Sequence, residues 1–125
     1  MSISYGQAVR EELRPPTHKL RHAIPDVYQG YKELHDAALR AGALDAKTKE
    51  LIALAIAVSK QCDGCIAAHA HGAVLHGATP QEAAETLGVT FLMNGGPGTI
   101  YGARAFAAFN EFYAGHTNTQ PSSAT

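Results

Sequence analysis

The sequence predicts an all-α protein, and three observations carry that prediction. Apolar residues recur at helical spacing in one segment after another, while almost nothing alternates with the period of a strand. The composition is rich in alanine, has no Trp and is only 7% aromatic, which suits helices that approach one another closely. Helix starts and stops also punctuate the chain: Asp45, Thr79 and Pro80 open segments, and Gly42, Gly77 and Gly95 close them. At 125 residues the chain is long enough for one domain with a core that needs no staples.

The elements follow in order. Residues 1–24 include "RPPTHKL", with two adjacent prolines and mixed polarity, and read as an N-terminal arm that wraps rather than a core element. Residues 25–114 are expected to form the helical domain. In "IPDVYQGYKELHDAALRAG", Val27, Tyr31, Leu34, Ala38 and Leu39 make an apolar stripe on a first helix that Gly42 ends. A second helix starts at Asp45, a good N-cap, and runs through "KTKELIALAIAVSK". Its Leu51, Ile52, Leu54, Ala55, Ile56 and Val58 cover nearly the whole circumference, so it needs a central position or a partner subunit. A third helix begins around the cysteines and reaches His76, with Gly77 as its exit. "TPQE" opens the fourth with Thr79 as cap, Pro80 at the first position and Glu82 reaching back in a capping box. "NGGPG" breaks the chain before a last helix, "TIYGARAFAAFNEFY", whose Tyr101, Ala105, Phe109 and Phe112 share a face. Residues 115–125 read as a polar tail.

Charge excludes several function classes. A formal net charge of -1 gives no general attraction to nucleic acid or to an acidic membrane surface. No apolar run of about 18 residues could span a bilayer, and no basic leader precedes one. A cytoplasmic location is expected. The glycine cluster at Gly95 to Gly98 lacks the strand before it and the Lys-Ser/Thr after it that a phosphate loop would have.

The chemistry concentrates in "SKQCDGCIAAHAHGA", residues 59–73, which holds both cysteines. Two thiols three positions apart can clamp a metal, form a disulfide or pack in a core. Cys62, Cys65 and His69 share one face of a helix. Cys62 stands at the helix N-terminus, where free N–H groups and the macrodipole favour a thiolate, although Asp63 adds negative charge beside it. Cys65 lies one turn in, close enough to trap an oxidised partner sulfur. His69 can remove or deliver a proton near neutral pH once a partner fixes its tautomer. Glu50 is the candidate partner. If the second and third helices turn near Lys60 and Gln61, Glu50 lies ~15 Å back from the turn and His69 ~10 Å beyond it. The mismatch of about one turn is within the reach of the two side chains. His71 points away from the cysteine face, and His76 falls at a helix end where an imidazolium is favoured, so both read as structural. Tyr101 and Arg104 read as packing and solvent-facing residues.

These residues resemble a known pattern. "KELIALAIAVSKQCDGCIAAHAHGAVLHGATPQEAAE" is similar to the core of the AhpD-like, or carboxymuconolactone decarboxylase, superfamily. Its AhpD-like branch has a Glu, a Cys twelve positions on, a Cys-x-x-Cys, and a His four positions after the second Cys. Glu50, Cys62, Cys65 and His69 stand at those spacings. The resemblance covers roughly residues 25–112. It implies an all-helical subunit, built round a buried helical hairpin, that assembles into a homotrimer or hexamer. It also implies a thiol-dependent peroxidase or disulfide oxidoreductase needing no metal, haem or flavin cofactor. The partners implied are a hydroperoxide substrate and an external dithiol reductant. Carried over, Cys65 is peroxidatic, Cys62 resolving, and His69 with Glu50 the proton relay. The helix position of Cys62 makes it the more acidic thiol, so the two readings name different first nucleophiles. AhpD proteins carry a His immediately before the second Cys, where this chain has Gly64. That loss removes a cation from beside the thiols and leaves room at the helix start for a bulkier substrate.

Two rivals remain at this level. A zinc-binding module would use Cys62, Cys65, His69 and His76, although four ligands spread along one helix cannot all reach one ion. A non-redox, decarboxylase-like relative would use Glu50 and His69 as acid and base.

Overall fold

A computed structural model describes residues 3–119, and every regular element in them is a helix. In chain order these are α1 (Gln7–Ala23), α2 (Pro25–Leu39), α3 (Ala46–Ser59), α4 (Asp63–Leu75), α5 (Pro80–Asn94) and α6 (Gly96–Thr119). No described helix is long and apolar enough to cross a membrane.

The core lies where α3, α4, α5 and α6 meet. Leu54 and Val58 of α3, Ile66, Ala70 and Val74 of α4, Leu87 of α5 and Phe109 of α6 are buried together. Alanines sit between them: Ala57, Ala67, Ala73, Ala83, Ala105 and Ala108 are all buried. With so little side chain at the crossings, the backbones pack closely, and dispersion contacts replace bulk. Gly98 marks one such approach, since a Cβ there would stand 2.8 Å from the Thr90 carbonyl of α5.

The caps read from the sequence are present. Asp45 accepts a hydrogen bond from the Thr48 N–H at 2.7 Å, and Thr79 and Glu82 form the reciprocal capping box. Lys47 ties the start of α3 to Glu82 at 2.8 Å, and Asn94 ties the end of α5 to Ser59 at 3.0 Å. The α3–α4 turn falls at Lys60 and Gln61, and Gln61 takes a left-handed conformation with φ 56°. That sharp reversal lets the Cys62 N–H reach back to the Ala57 carbonyl at 3.1 Å.

Three regions differ from the sequence reading. Residues 7–23 are helical, although Pro15 and Pro16 stand inside the helix. Each proline removes one backbone bond to the residue four earlier, here Glu11 and Glu12. Those residues and both prolines are exposed, so water can satisfy the freed carbonyls. The start of α1 is pinned instead by α6: Ser4 and the Gln7 N–H both donate to the Glu111 carboxylate, at 2.8 and 3.1 Å. α1 buries no residue completely, so it lies over the core without joining it. At the other end, 115–119 extend α6 rather than starting a tail, while residues 120–125 lie outside the described residues. Of the glycine cluster, Gly95 alone breaks the chain, with φ 64°; Gly96 and Gly98 belong to the first turn of α6.

α2 and α3 leave apolar side chains open. α2 buries nothing, and Val27, Tyr31 and Leu34 are each 65% exposed. α3 buries one face and leaves Ile52 and Ile56 open at 44% and 54%.

Candidate functional site

The α3–α4 hairpin brings the four residues of the spacing pattern together. Glu50 is 5% exposed, and its Oε2 accepts from His69 Nδ1 at 2.9 Å. A buried carboxylate needs such a partner, and the bond fixes the ring with its proton on Nδ1. The other ring nitrogen, Nε2, is then the one able to exchange a proton with a reacting group. Cys62 and Cys65 are joined as a disulfide across the first turn of α4, with Cα atoms 5.2 Å apart.

Their surroundings differ. Cys62 is the N-cap of α4, and its Sγ accepts from the Cys65 N–H at 3.2 Å. That donor would also favour a thiolate at Cys62. Cys65 is exposed and Cys62 only partly so. An incoming sulfur or oxygen therefore meets Cys65 first.

Sequence reasoning missed four residues that shape the site. Arg104 of α6 pairs with Asp63 at 3.2 Å and lies over the rings of Tyr5 and Tyr101, 5.3 and 4.8 Å from their centroids. The guanidinium offsets the negative charge that Asp63 places beside Cys62. Gly72 is the second: a Cβ there would run into the Glu50 carboxylate, 2.6 Å from its Cδ. A glycine inside a helix costs about 1 kcal/mol relative to alanine, and Gly72 stands three residues beyond His69, so a close approach was the available signal. Leu13 of α1 is the third. Its Cδ1 would be 2.9 Å from a Cβ at position 64, so the space expected there for substrate is occupied by this chain's own leucine. The fourth is His35 of α2, whose ring stacks on His69 with centroids 6.0 Å apart and planes 21° from parallel. Nothing local in the sequence marks His35, because the contact joins helices far apart in the chain.

His71 and His76 make other contacts. His71 packs edge-on against Phe112 at 4.9 Å; burial first, then Arg10 and His116, hold its pKa below the ordinary imidazole value. His76 caps α4 and donates from Nδ1 to the Gly72 carbonyl at 2.8 Å. Among the described residues no three His, Cys, Asp or Glu side chains gather as metal ligands, so the zinc reading of Cys62, Cys65, His69 and His76 has no cluster to rest on.

The chain has relatives among known proteins. The profile of the Carboxymuconolactone decarboxylase family matches residues 25–108. An uncharacterized protein of Cupriavidus necator is 40% identical over 95 residues, covering 76% of this chain and 84% of that one. An uncharacterized protein of Haemophilus influenzae is 44% identical over 92 residues, covering 74% and 81%. Among solved structures, an apo carboxymuconolactone decarboxylase family protein from Legionella pneumophila superposes with a TM-score of 0.81 at 44% identity, covering 85% of this chain and 95% of its own. A Thermotoga maritima protein gives a TM-score of 0.77 at 28% identity, covering 90% and 98%. With its six described helices and its Cys-x-x-Cys pair at disulfide distance, this chain belongs to the carboxymuconolactone decarboxylase family.

Proposed function

We propose that the protein is a thiol-dependent peroxidase of the AhpD-like kind, cycling between a Cys62/Cys65 dithiol and the disulfide. The carrying observation is the buried Glu50–His69 pair, 2.9 Å apart, on the hairpin that also holds the two sulfurs. In the reduced state the Cys65 thiolate attacks the distal oxygen of a hydroperoxide. The O–O bond breaks, and the alcohol leaves with a proton supplied from His69. Cys65 becomes a sulfenic acid. The Cys62 thiolate then attacks the Cys65 sulfur, water leaves, and the disulfide closes. An external dithiol reopens it by attacking Cys65, with Cys62 as the leaving thiolate, and is itself oxidised to a disulfide.

This assignment reconciles the two readings of the cysteines. The sulfur at the helix N-terminus is the better leaving group and the readier resolving thiolate, while the exposed sulfur meets the outside reactants. Glu50 holds the His69 ring in one orientation with Nε2 free to exchange a proton.

Assembly into trimers or hexamers is part of the same proposal. Val27, Tyr31 and Leu34 on α2 and Ile52 and Ile56 on α3 leave apolar surface uncovered on one subunit.

Thiol titration tests the cycle. One equivalent of hydroperoxide should consume both thiols of the reduced protein, and dithiothreitol should restore both. Cys65→Ser should lower turnover at least ~100-fold, and Cys62→Ser should stall after one equivalent. Turnover unchanged in both variants would end the redox reading. Lactone turnover surviving in the double variant would instead favour Glu50 and His69 acting as acid and base.

A further inference from the structure

His35 stands over the relay from an element that contributes nothing else to it. Its ring lies 6.0 Å from that of His69 and within 21° of parallel. Its own Nδ1 lies 3.3 Å from Asp36 Oδ1, and Asp36 also binds Lys32 at 2.7 Å. Two imidazole–carboxylate couples are therefore stacked: Glu50 with His69, and Asp36 with His35. The inner couple is part of the packed hairpin, and the outer one is carried by exposed α2.

Beside them a cleft of about 280 Å³ is lined by His35, Asp36, Leu39, Arg40, Glu50 and His76. The buried carboxylate of Glu50 thus borders an opening. The charged or titratable groups around His35 are Asp36, Lys32 and Tyr31 on its own helix, the Tyr31 ring 6.5 Å away, and Arg40 just past its end. Glu50 on α3, His69 on α4 and His76 at the α4 cap approach from the hairpin. Arg21 of α1 lines the neighbouring cleft.

Resting on the proposed thiol chemistry, we propose that His35 is a positioning residue of the relay. Its ring restrains that of His69, so the Nε2 atom that exchanges a proton is held in one place.

Proton NMR of the His69 ring, in the oxidised protein at one fixed pH, tests this without reference to activity. His35→Phe keeps an aromatic ring over His69, whereas His35→Ala removes it; circular dichroism checks that each folds. In His35→Ala the cross-peaks between the His69 ring and the side chains of α3 should weaken, and His35→Phe should restore them. Cross-peaks unchanged in His35→Ala would overturn the proposal. Hydroperoxide turnover supplies the second readout: the maximal rate should fall several-fold in His35→Ala and recover in His35→Phe. Equal rates in all three proteins beside unchanged cross-peaks would leave His35 as packing alone. If the unmodified protein turns over no hydroperoxide, the peroxidase reading fails, and the His69 cross-peaks still decide the role of His35.

Discussion

The chain contains two helical hairpins that solve the same problem differently. α3–α4 buries Leu54, Val58, Ile66, Ala70 and Val74 and holds Glu50 against His69 inside its own packing. α1–α2 buries no residue at all, and its most apolar stripe faces outward. The first hairpin is held by its own packing; the second draws its position from contacts at its ends and leaves Val27, Tyr31 and Leu34 open. Geometry critical to the site has been placed on the element that a single subunit can hold rigid. What α1–α2 adds, Leu13 over Gly64 and His35 over His69, are side chains laid across that rigid part from outside.

This contrast can be broken most severely at the inner hairpin. Glu50→Gln keeps the shape of the carboxylate but removes its charge, and should lower peroxide turnover by about 10²-fold. Gly72→Ala attacks the same spot from α4, because the added methyl and the carboxylate cannot share the space. Overpacking of this kind costs about 1–3 kcal/mol, so a lower thermal midpoint and a comparable activity loss should appear together. A Gly72→Ala protein with both unchanged would mean that Glu50 has another place to go.

The outer hairpin should respond in a different currency. Leu34→Asp puts a charge on the exposed stripe of α2 and touches no buried residue. Analytical ultracentrifugation should show smaller assemblies, and the thermal midpoint should become strongly dependent on protein concentration. If the subunit is already a stable monomer, neither quantity changes, and the stripe has some other purpose.

A subtler difference is expected with pH. Folded His71 resists protonation, because burial and then Arg10 and His116 oppose the charged form. As pH falls through the ordinary imidazole value of 6.5, the unfolded chain gains a proton that the folded one does not, and stability declines. Above that value both states are neutral there and the effect vanishes. His71→Gln should flatten the stability profile on the acidic side, as measured by denaturant midpoints at several pH values. The smallest effect belongs to the turn that joins the inner hairpin. Gln61→Gly relieves a left-handed φ at the cost of a looser unfolded chain, and should stabilise by about 0.5 kcal/mol.

Much of the inner hairpin was legible in the sequence, because local rules govern it. The apolar run of α3, the turn near Lys60 and Gln61, and the rise per residue were enough to bring Glu50 within reach of His69. The capping box at Thr79 was equally plain, being written in four consecutive residues. The outer region was harder for a physical reason. Pro15 and Pro16 argue locally against a helix, and that argument loses because α1 is exposed enough for water to replace the missing bonds, and is anchored at Ser4 and Gln7 by Glu111. Arg104, Leu13 and His35 act through contacts across long stretches of chain, and no spacing rule reaches that far. Gly64 shows the same limit: its missing side chain was visible, but what filled the gap was not.

That filled gap ties two distant positions to each other. Leu13 and any side chain at position 64 would meet in one small volume, so a larger residue there must turn the end of the Leu13 side chain aside. What stands at position 64 is thus linked to the first helix, and a histidine grafted there alone should displace the Leu13 side chain before it tunes a sulfur.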